Sequence, residues 1–478
     1  MYQPALLIAG SQIDRTTSGV FDVVDPATEE KLGSAPLAGK EEVDAALQAA
    51  QSAFAIWRHS LPVQRYDVLN RIGAMLRERV EILATLLTRE IGKPLAESRG
   101  EVVAAAEYFE WCAQEARRAS VKVRAGRVAG STLEVSYEPV GIVLALTAWN
   151  YPVILAARKL AMALAAGCSV ILRPAEEGPA CVAALVQCCQ DAGLPPGTVN
   201  LLFGSPEAVV EPLMASPLVR KLSFTGSTRV GQLLIRQSAA TVKRVTMELG
   251  GHAPFIVLDD ADLDKAAQAA VGGKFRNAGQ VCTAPSRFFV HQSVAREFTD
   301  KMAKFAGMLR LGNGLHDGVQ MGPLATARQR ERTERLVADA RARDARLVTG
   351  GSRPKDHSRG YFFEPTIISN LAEDCALLHE EPFGPVAAIV PVASIEEAIA
   401  RSNALEFGLA AYLFTRSRES IERVTAEIEA GVMGVNTTAA ALAEAPFGGI
   451  KQSGFGREGG EDCLRDFQNA KFVHRLNP

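Results

Sequence analysis

The chain has 478 residues, 22% of them charged and 47% apolar, an ordinary composition for a folded protein of two or three domains. With 52 basic and 54 acidic residues its net charge is −2, which excludes partners that need a strongly basic protein, namely nucleic acid and anionic membrane surfaces. Eight cysteines with no C-x-x-C pair and no His/Cys group at zinc spacing predict free thiols, no metal site and a reducing, cytoplasmic setting.

In chain order, "MYQPALLIAGSQIDRTTSG" carries no basic segment before its short apolar run, so no secretory signal is expected. Residues 140–157, "VGIVLALTAWNYPVILAA", are uncharged for the length of a short membrane span. Gly141, Asn150 and Pro152 interrupt them, and the β-branched opening predicts a buried strand, a turn and a helix start instead. That helix should stop at Gly167. "CSVILRP" then reads as a strand, and "PACVAALVQCCQDAG" as a helix closed at Gly193 ahead of prolines. "TVNLLFG", "VRKLSF" and "KRVTMEL" read as further strands, separated by the helical patterns "PEAVVEPLMAS" and "TRVGQLLIRQSAA". Such βαβα alternation predicts a mainly parallel sheet covered on both faces.

A second alternation opens near residue 252 with "APFIVLDDADLDKAAQAAVGGKF" and continues in "AAIVPVASIEEAIARSN" and "AAYLFTRSRESIERVTAEIEAGVMGVN". Two α/β halves should therefore meet near Gly250. The arginines of residues 325–346 alternate with acids at helical spacing, which predicts a solvated helix face.

Two glycine motifs differ in placement. "GFGREG" (454–459) fits G-x-G-x-x-G but follows no buried strand and opens no βαβ unit, so it reads as a glycine turn before a last short helix. "FTGSTRVG" (224–231) joins a strand to an amphipathic helix. Gly226 permits a close turn there, and Ser227 or Thr228 either caps the helix or, with its free N–H groups, faces a phosphate.

Six segments now line up: "AWNYP" (148–152), "RPAEE" (173–177), "MELGG" (247–251), "NAGQVCTAPSR" (277–287), "EEPFGPV" (380–386) and "APFGGIKQSGFGREGG" (445–460). Together, and in this order over essentially the whole chain, they resemble the NAD(P)-dependent aldehyde dehydrogenase superfamily. The resemblance implies an α/β fold with a Rossmann-like cofactor domain (1–120 and 140–248), an α/β catalytic domain (249–460) and a small β oligomerisation flap (121–139 and 461–478). A homodimer or homotetramer is expected.

The chemistry needs a nucleophile, because an aldehyde gives up hydride only after an addition makes it tetrahedral. Cys282 sits among Gly279, Gln280 and Thr283, not on an apolar stripe, which suits either an accessible thiol or a packed loop cysteine; the resemblance makes it the nucleophile. It likewise implies Asn150 and the Cys282 N–H as oxyanion donors, Glu248 as the base that hydrolyses the thioester, and Lys159 in a proton relay. A glutamate entering an apolar strand-to-Gly-Gly turn suits a buried base with raised pKa. Glu248 also favours release of a free acid over transfer to CoA. A cysteine hydrolase would need a histidine base, and neither His252 nor His291 lies in a motif that supports one.

For the cofactor the resemblance implies Arg173 and Glu176 near the adenosine ribose. Thr147, Trp149, Gly226, Ser227 and Val230 would line the cleft, with Glu381 on the nicotinamide ribose and Phe383 near the ring. Glu176 favours NAD by accepting from a ribose 2′-OH, while Arg173, where the family usually has Lys, leaves NADP open.

Among the branches the succinate-semialdehyde dehydrogenases look nearest. Arg158 and Arg276 match the pair that holds the substrate's far carboxylate; each by itself could equally form a salt bridge within the fold. Tyr151 and Phe447 would wall the tunnel. Ala441 stands where that branch has a serine, so a bulkier semialdehyde or a neutral aldehyde fits the position as well.

Overall fold

The computed structural model describes residues 2–118 and 121–476. The outermost positions of three expected segments, at 1, 119–120 and 477–478, lie outside the described residues.

Two sheets organise the molecule. The first has eight strands, with Ile142–Thr147 at its centre between Ser169–Pro174 and Val219–Thr225, and Arg244–Glu248 beyond. These four pair in parallel, as the alternation predicts. Their residues are nearly all buried, because helices such as Pro152–Ala166 and Leu95–Arg117 cover the sheet. Pro152–Ala166 is itself buried almost throughout, which explains why its sequence looked apolar enough for a membrane. Among the described residues no helix is long and apolar enough to cross one.

The second sheet has seven strands, centred on Arg287–His291 and Pro254–Val257, and holds a separate core around Phe255, Phe288 and Phe298. Its parallel pairs place the carboxyl ends of its strands together, as in the first sheet.

The "GFGREG" segment does more than turn. Gly454–Phe455 pairs antiparallel with Arg244–Glu248, setting Gly454 opposite Glu248 and closing the edge of the first sheet. Gly454 has φ +113°, and a Cβ there would stand 1.9 Å from the Met247 carbonyl oxygen, so only glycine permits this approach.

A third sheet of three antiparallel strands, Lys122–Ala125, Ser131–Pro139 and Gln468–Leu476, stands apart from both cores. Val121, Val123, Phe472 and Leu476 of this region expose their side chains.

Candidate active site

The carboxyl ends of the first sheet and a loop of the second half enclose one cavity of about 540 Å³. Cys282 lies on that loop. After the helix Leu263–Phe275 the chain turns through Asn277 and Ala278, both left-handed, with φ of 48° and 51°. Asn tolerates this region; an alanine there costs about 1 kcal/mol or more, so surrounding contacts must hold it. They are present. The buried Gln280 side chain donates to the Asn277 carbonyl (2.9 Å) and accepts from the Ala325 N–H (2.9 Å). Tyr412 donates its hydroxyl to the Thr283 carbonyl at 2.7 Å. The loop is thus pinned on both sides of Cys282.

The other seven cysteines are buried, and Cys282 is half-buried on the cavity wall. Its thiol is not activated in advance. Burial pushes its pKa up to about 12, against the pull of the Arg158 and Arg276 guanidinium groups. The resting group is a thiol that must lose its proton when it attacks.

Asn150 follows the strand Ile142–Thr147 and faces the same loop, its side-chain amide donating to the Gln280 carbonyl at 3.0 Å. An amide has two N–H groups, so one remains for a ligand. Glu248 ends its strand inside the cavity wall, buried, with neither carboxylate oxygen hydrogen-bonded. Burial, reinforced by the neighbouring Glu458 carboxylate, raises its pKa well above the ordinary carboxylate value. Lys159 does not reach the cavity. It is fully buried and donates to Glu458 (2.8 Å) and to the Ser223 hydroxyl (3.2 Å). Glu458 does line the cavity, and so connects Lys159 to it.

Arg158, Arg276, Tyr151 and Phe447 all border the cavity. Arg158 is sandwiched between Tyr108 and Phe447, 4.7 Å from each ring centroid, with Glu458 at 3.8 Å. Arg276 sits over Tyr151 at 5.8 Å. Ala441 borders the cavity too.

At the other end lie Trp149, Gly226, Ser227, Glu381 and Phe383. Ser227 caps the helix Thr228–Ala239, accepting from the Val230 N–H, and lines the cavity as well. Glu381 accepts from the Gly251 N–H at 3.3 Å, and burial lifts its pKa to about 7. Thr147, Val230, Arg173 and Glu176 stand off the cavity wall. Thr147 is buried at its strand end, and Val230 is packed on the first core. Arg173 is bound to the Gly204 carbonyl (2.7 Å) and to Glu176 (2.9 Å).

The sequence matches the aldehyde dehydrogenase family over residues 13–473. The chain belongs to the aldehyde dehydrogenase family. It is 43% identical over 467 residues to 3-sulfolactaldehyde dehydrogenase of Pseudomonas putida, covering 98% of this chain and 96% of that one. It is 41% identical to the NADP+ succinate-semialdehyde dehydrogenase of Escherichia coli K12, covering 99% and 98%. The solved structure of succinate-semialdehyde dehydrogenase from Burkholderia pseudomallei superposes with a TM-score of 0.97 at 42% identity, covering 99% and 98%. The chain is an NAD(P)-dependent aldehyde dehydrogenase.

The dehydrogenase has a cradle that fits a dinucleotide. Ser227, the N-cap of Thr228–Ala239, lines the cavity, so the N-terminus of that helix lies at its edge, a position that suits a pyrophosphate. Gly250 lies between that N-terminus and Glu381, and a Cβ there would approach the Glu381 carboxylate to 3.0 Å and narrow the cleft. The edge-on packing of Phe383 against Trp149, 5.5 Å between centroids, forms an apolar wall suited to a nicotinamide ring.

One expectation needs correction. The helix Ala327–Ala342 is not merely a solvated face: Arg328, Gln329 and Arg332 from its first turns border the cavity. Gln329 donates to the Phe383 carbonyl at 2.6 Å and Arg332 to the Glu381 carbonyl at 2.8 Å, so this helix supports the cofactor end. Glu458 lies inside "GFGREGG", where the local signal is the glycine spacing and not the one carboxylate among them. Glu97, which borders the cavity and accepts from the Asn277 N–H at 2.8 Å, carries no local signal beyond helical spacing.

Proposed function

We propose that the enzyme oxidises an aldehyde bearing an anionic group at its far end, a carboxylate as in succinate semialdehyde, to the free acid. The observation that carries this is two guanidinium groups, Arg158 and Arg276, on the wall of the cavity that holds Cys282. Stacking on aromatic rings orients both without consuming their donors. Ala441, a small residue, lines the same cavity, so a larger anion also fits, in keeping with the sulfonated substrate named for the Pseudomonas relative.

In this reading Cys282 adds to the carbonyl carbon and passes its proton to water in the cavity. The oxyanion of the thiohemiacetal accepts from the free Asn150 amide N–H and the Cys282 N–H. Bound NAD(P)+ supplies a hydride acceptor, and Glu381, Phe383, Trp149 and Ser227 hold it. The thioester left on Cys282 is hydrolysed by water that Glu248 deprotonates. Lys159 and Glu458 carry that proton away, since Glu458 touches the cavity and Lys159 together. The Arg173–Glu176 pair lies toward the adenosine ribose. NAD is the preferred cofactor, and Arg173 offsets part of the repulsion Glu176 would exert on a 2′-phosphate, so NADP is also accepted.

Arg276→Ala tests the substrate class. The kcat/KM for succinate semialdehyde should fall about 10- to 100-fold, the scale of one charged hydrogen bond, while that for butanal stays within about twofold. Equal losses on both aldehydes, or none, would exclude an anion-holding role.

We further propose that residues 1–120 and 140–248 form the cofactor domain, 249–460 the catalytic domain and 121–139 with 461–478 a flap that joins copies of the chain. The exposed Phe472 and Leu476, on one face of the strand Gln468–Leu476, support the flap, because an isolated three-stranded sheet is stabilised by burial against another surface. Phe472→Asp should shift the enzyme to smaller species in light scattering; an unchanged mass would count against the flap as interface. Reduced thiols throughout suit the cytoplasm.

A further inference from the structure

Lys93 lies in the short link between the helices Val80–Ile91 and Leu95–Arg117, outside every segment that carried the resemblance. It is fully buried. Its ammonium makes a 2.6 Å ion pair with Glu101, donates to the Asn150 main-chain carbonyl at 2.8 Å, and stands 3.6 Å from the Tyr151 ring centroid. The other Glu101 oxygen accepts from the N–H groups of Val153 (2.9 Å) and Ile154 (3.2 Å), the first amides of the helix after Asn150. One ion pair therefore grips the chain on both sides of the Asn150–Tyr151–Pro152 turn.

Lys93 is itself held from the second half of the molecule. The Leu95 N–H donates to the Gly314 carbonyl at 2.9 Å. A Cβ on Gly314 would come within 2.4 Å of the Lys93 carbonyl oxygen, and one on Gly322 within 1.9 Å of that of Gly92. The anchor point is rigid on the side from which the Cys282 loop also comes.

A buried ion pair is a poor device for stability, because desolvation consumes most of what the charges gain, and an apolar pair of the same volume often serves as well. What an apolar pair could not do is hold a carbonyl in place. Asn150 has a short side chain, so any shift of its main chain moves the amide directly. The amide's first N–H is committed to the Gln280 carbonyl, and the Asn277 amide also donates to the Asn150 carbonyl at 2.9 Å. Asn150 is thus tied at its side chain to the Cys282 loop and at its main chain to Lys93.

We propose that Lys93, together with Glu101, is a positioning residue that fixes the Asn150 amide where the oxyanion forms. This rests on the reading of Asn150 as an oxyanion donor. Preorganised donors act by being in place before charge develops, so loosening the anchor costs transition-state stabilisation and leaves cofactor binding alone.

A double-mutant cycle on the full enzyme tests it, with kcat and KM for the aldehyde, Kd for NAD and melting temperature as readouts. Asn150→Ala should lower kcat/KM by about 10²- to 10³-fold. Lys93→Met should lower kcat and kcat/KM together, by about 10- to 100-fold, the penalty of a small misplacement, with Kd for NAD within about twofold. In the Asn150→Ala background Lys93→Met should cost less than about twofold more, because there is no amide left to position. Equal losses in both backgrounds would overturn the role of Lys93 and show a general structural effect. No loss from Asn150→Ala alone would instead overturn the reading of Asn150. If Lys93→Met does not fold, Glu101→Gln carries the same cycle: Gln keeps an acceptor for the Val153 N–H but releases the ammonium. A loss that vanishes in the Asn150→Ala background supports the inference, and an equal loss in both, or none, overturns it.

Discussion

Cys282→Ala is expected to abolish aldehyde-dependent NADH formation, by roughly four to six orders of magnitude, while NAD still binds. Without the sulfur no thiohemiacetal forms, and the aldehyde carbon keeps its hydride because no adjacent oxyanion drives it off. The loss should be confined to chemistry. The change removes a single sulfur atom from the cavity that Ser227, Glu381 and Phe383 also line, and a half-buried thiol gives way to alanine without a charged group left unpaired. Stopped-flow NADH absorbance and NAD titration by protein fluorescence measure the two arms. Full turnover in the variant would end the covalent mechanism; lost NAD binding would mean that the cysteine supports the cofactor cleft. The raised thiol pKa adds a second expectation. Alkylation of the free enzyme by iodoacetamide near neutral pH should be slow, because burial keeps the thiolate scarce.

Glu248→Gln should separate the two halves of the reaction. Hydride transfer continues, so each active site releases one NADH in a burst, and the following steady rate drops by about 10²- to 10⁴-fold, the scale of a general base. Mass spectrometry of the quenched enzyme should then show the acyl group on Cys282. The geometry favours this split: Glu248 lies on the cavity wall with neither carboxylate oxygen hydrogen-bonded, so no partner has to be displaced when it takes a proton from water. The pH dependence follows in sign. Burial and the Glu458 carboxylate raise the Glu248 pKa, and only the deprotonated form is a base. The deacylation rate of the unmodified enzyme should therefore rise with pH through that raised value, and this limb should be missing in the Gln variant. Undiminished thioester turnover, or a pH limb that survives, would assign the base elsewhere.

Much of the site was legible in short segments. The Cys282, Asn150 and Glu248 motifs each combine a reactive residue with a turn at the end of a strand or helix, and such local demands leave a local mark. The parallel sheet was legible for a similar reason, because strands buried on both faces read as continuous apolar runs between helical patterns. Glu458 was not. It meets Lys159 across 299 residues of chain, and its place beside Glu248 depends on Gly454 returning to the edge of the first sheet. Lys93 was equally silent, since a lysine next to a proline says nothing of the Asn150 carbonyl 57 residues on.

By itself, then, the sequence determined which reactive side chains are candidates for the chemistry and which alternation of elements carries them, because side-chain type and turn geometry act over a few residues. Only the tertiary structure decided their acidity and aim. Burial raises the Cys282 and Glu248 pKa values, and the Lys93–Glu101 pair holds Asn150, through contacts between segments that meet only when both sheets are folded. Desolvation and Coulomb energy depend on distance in space, and distance in space is not written in residue spacing.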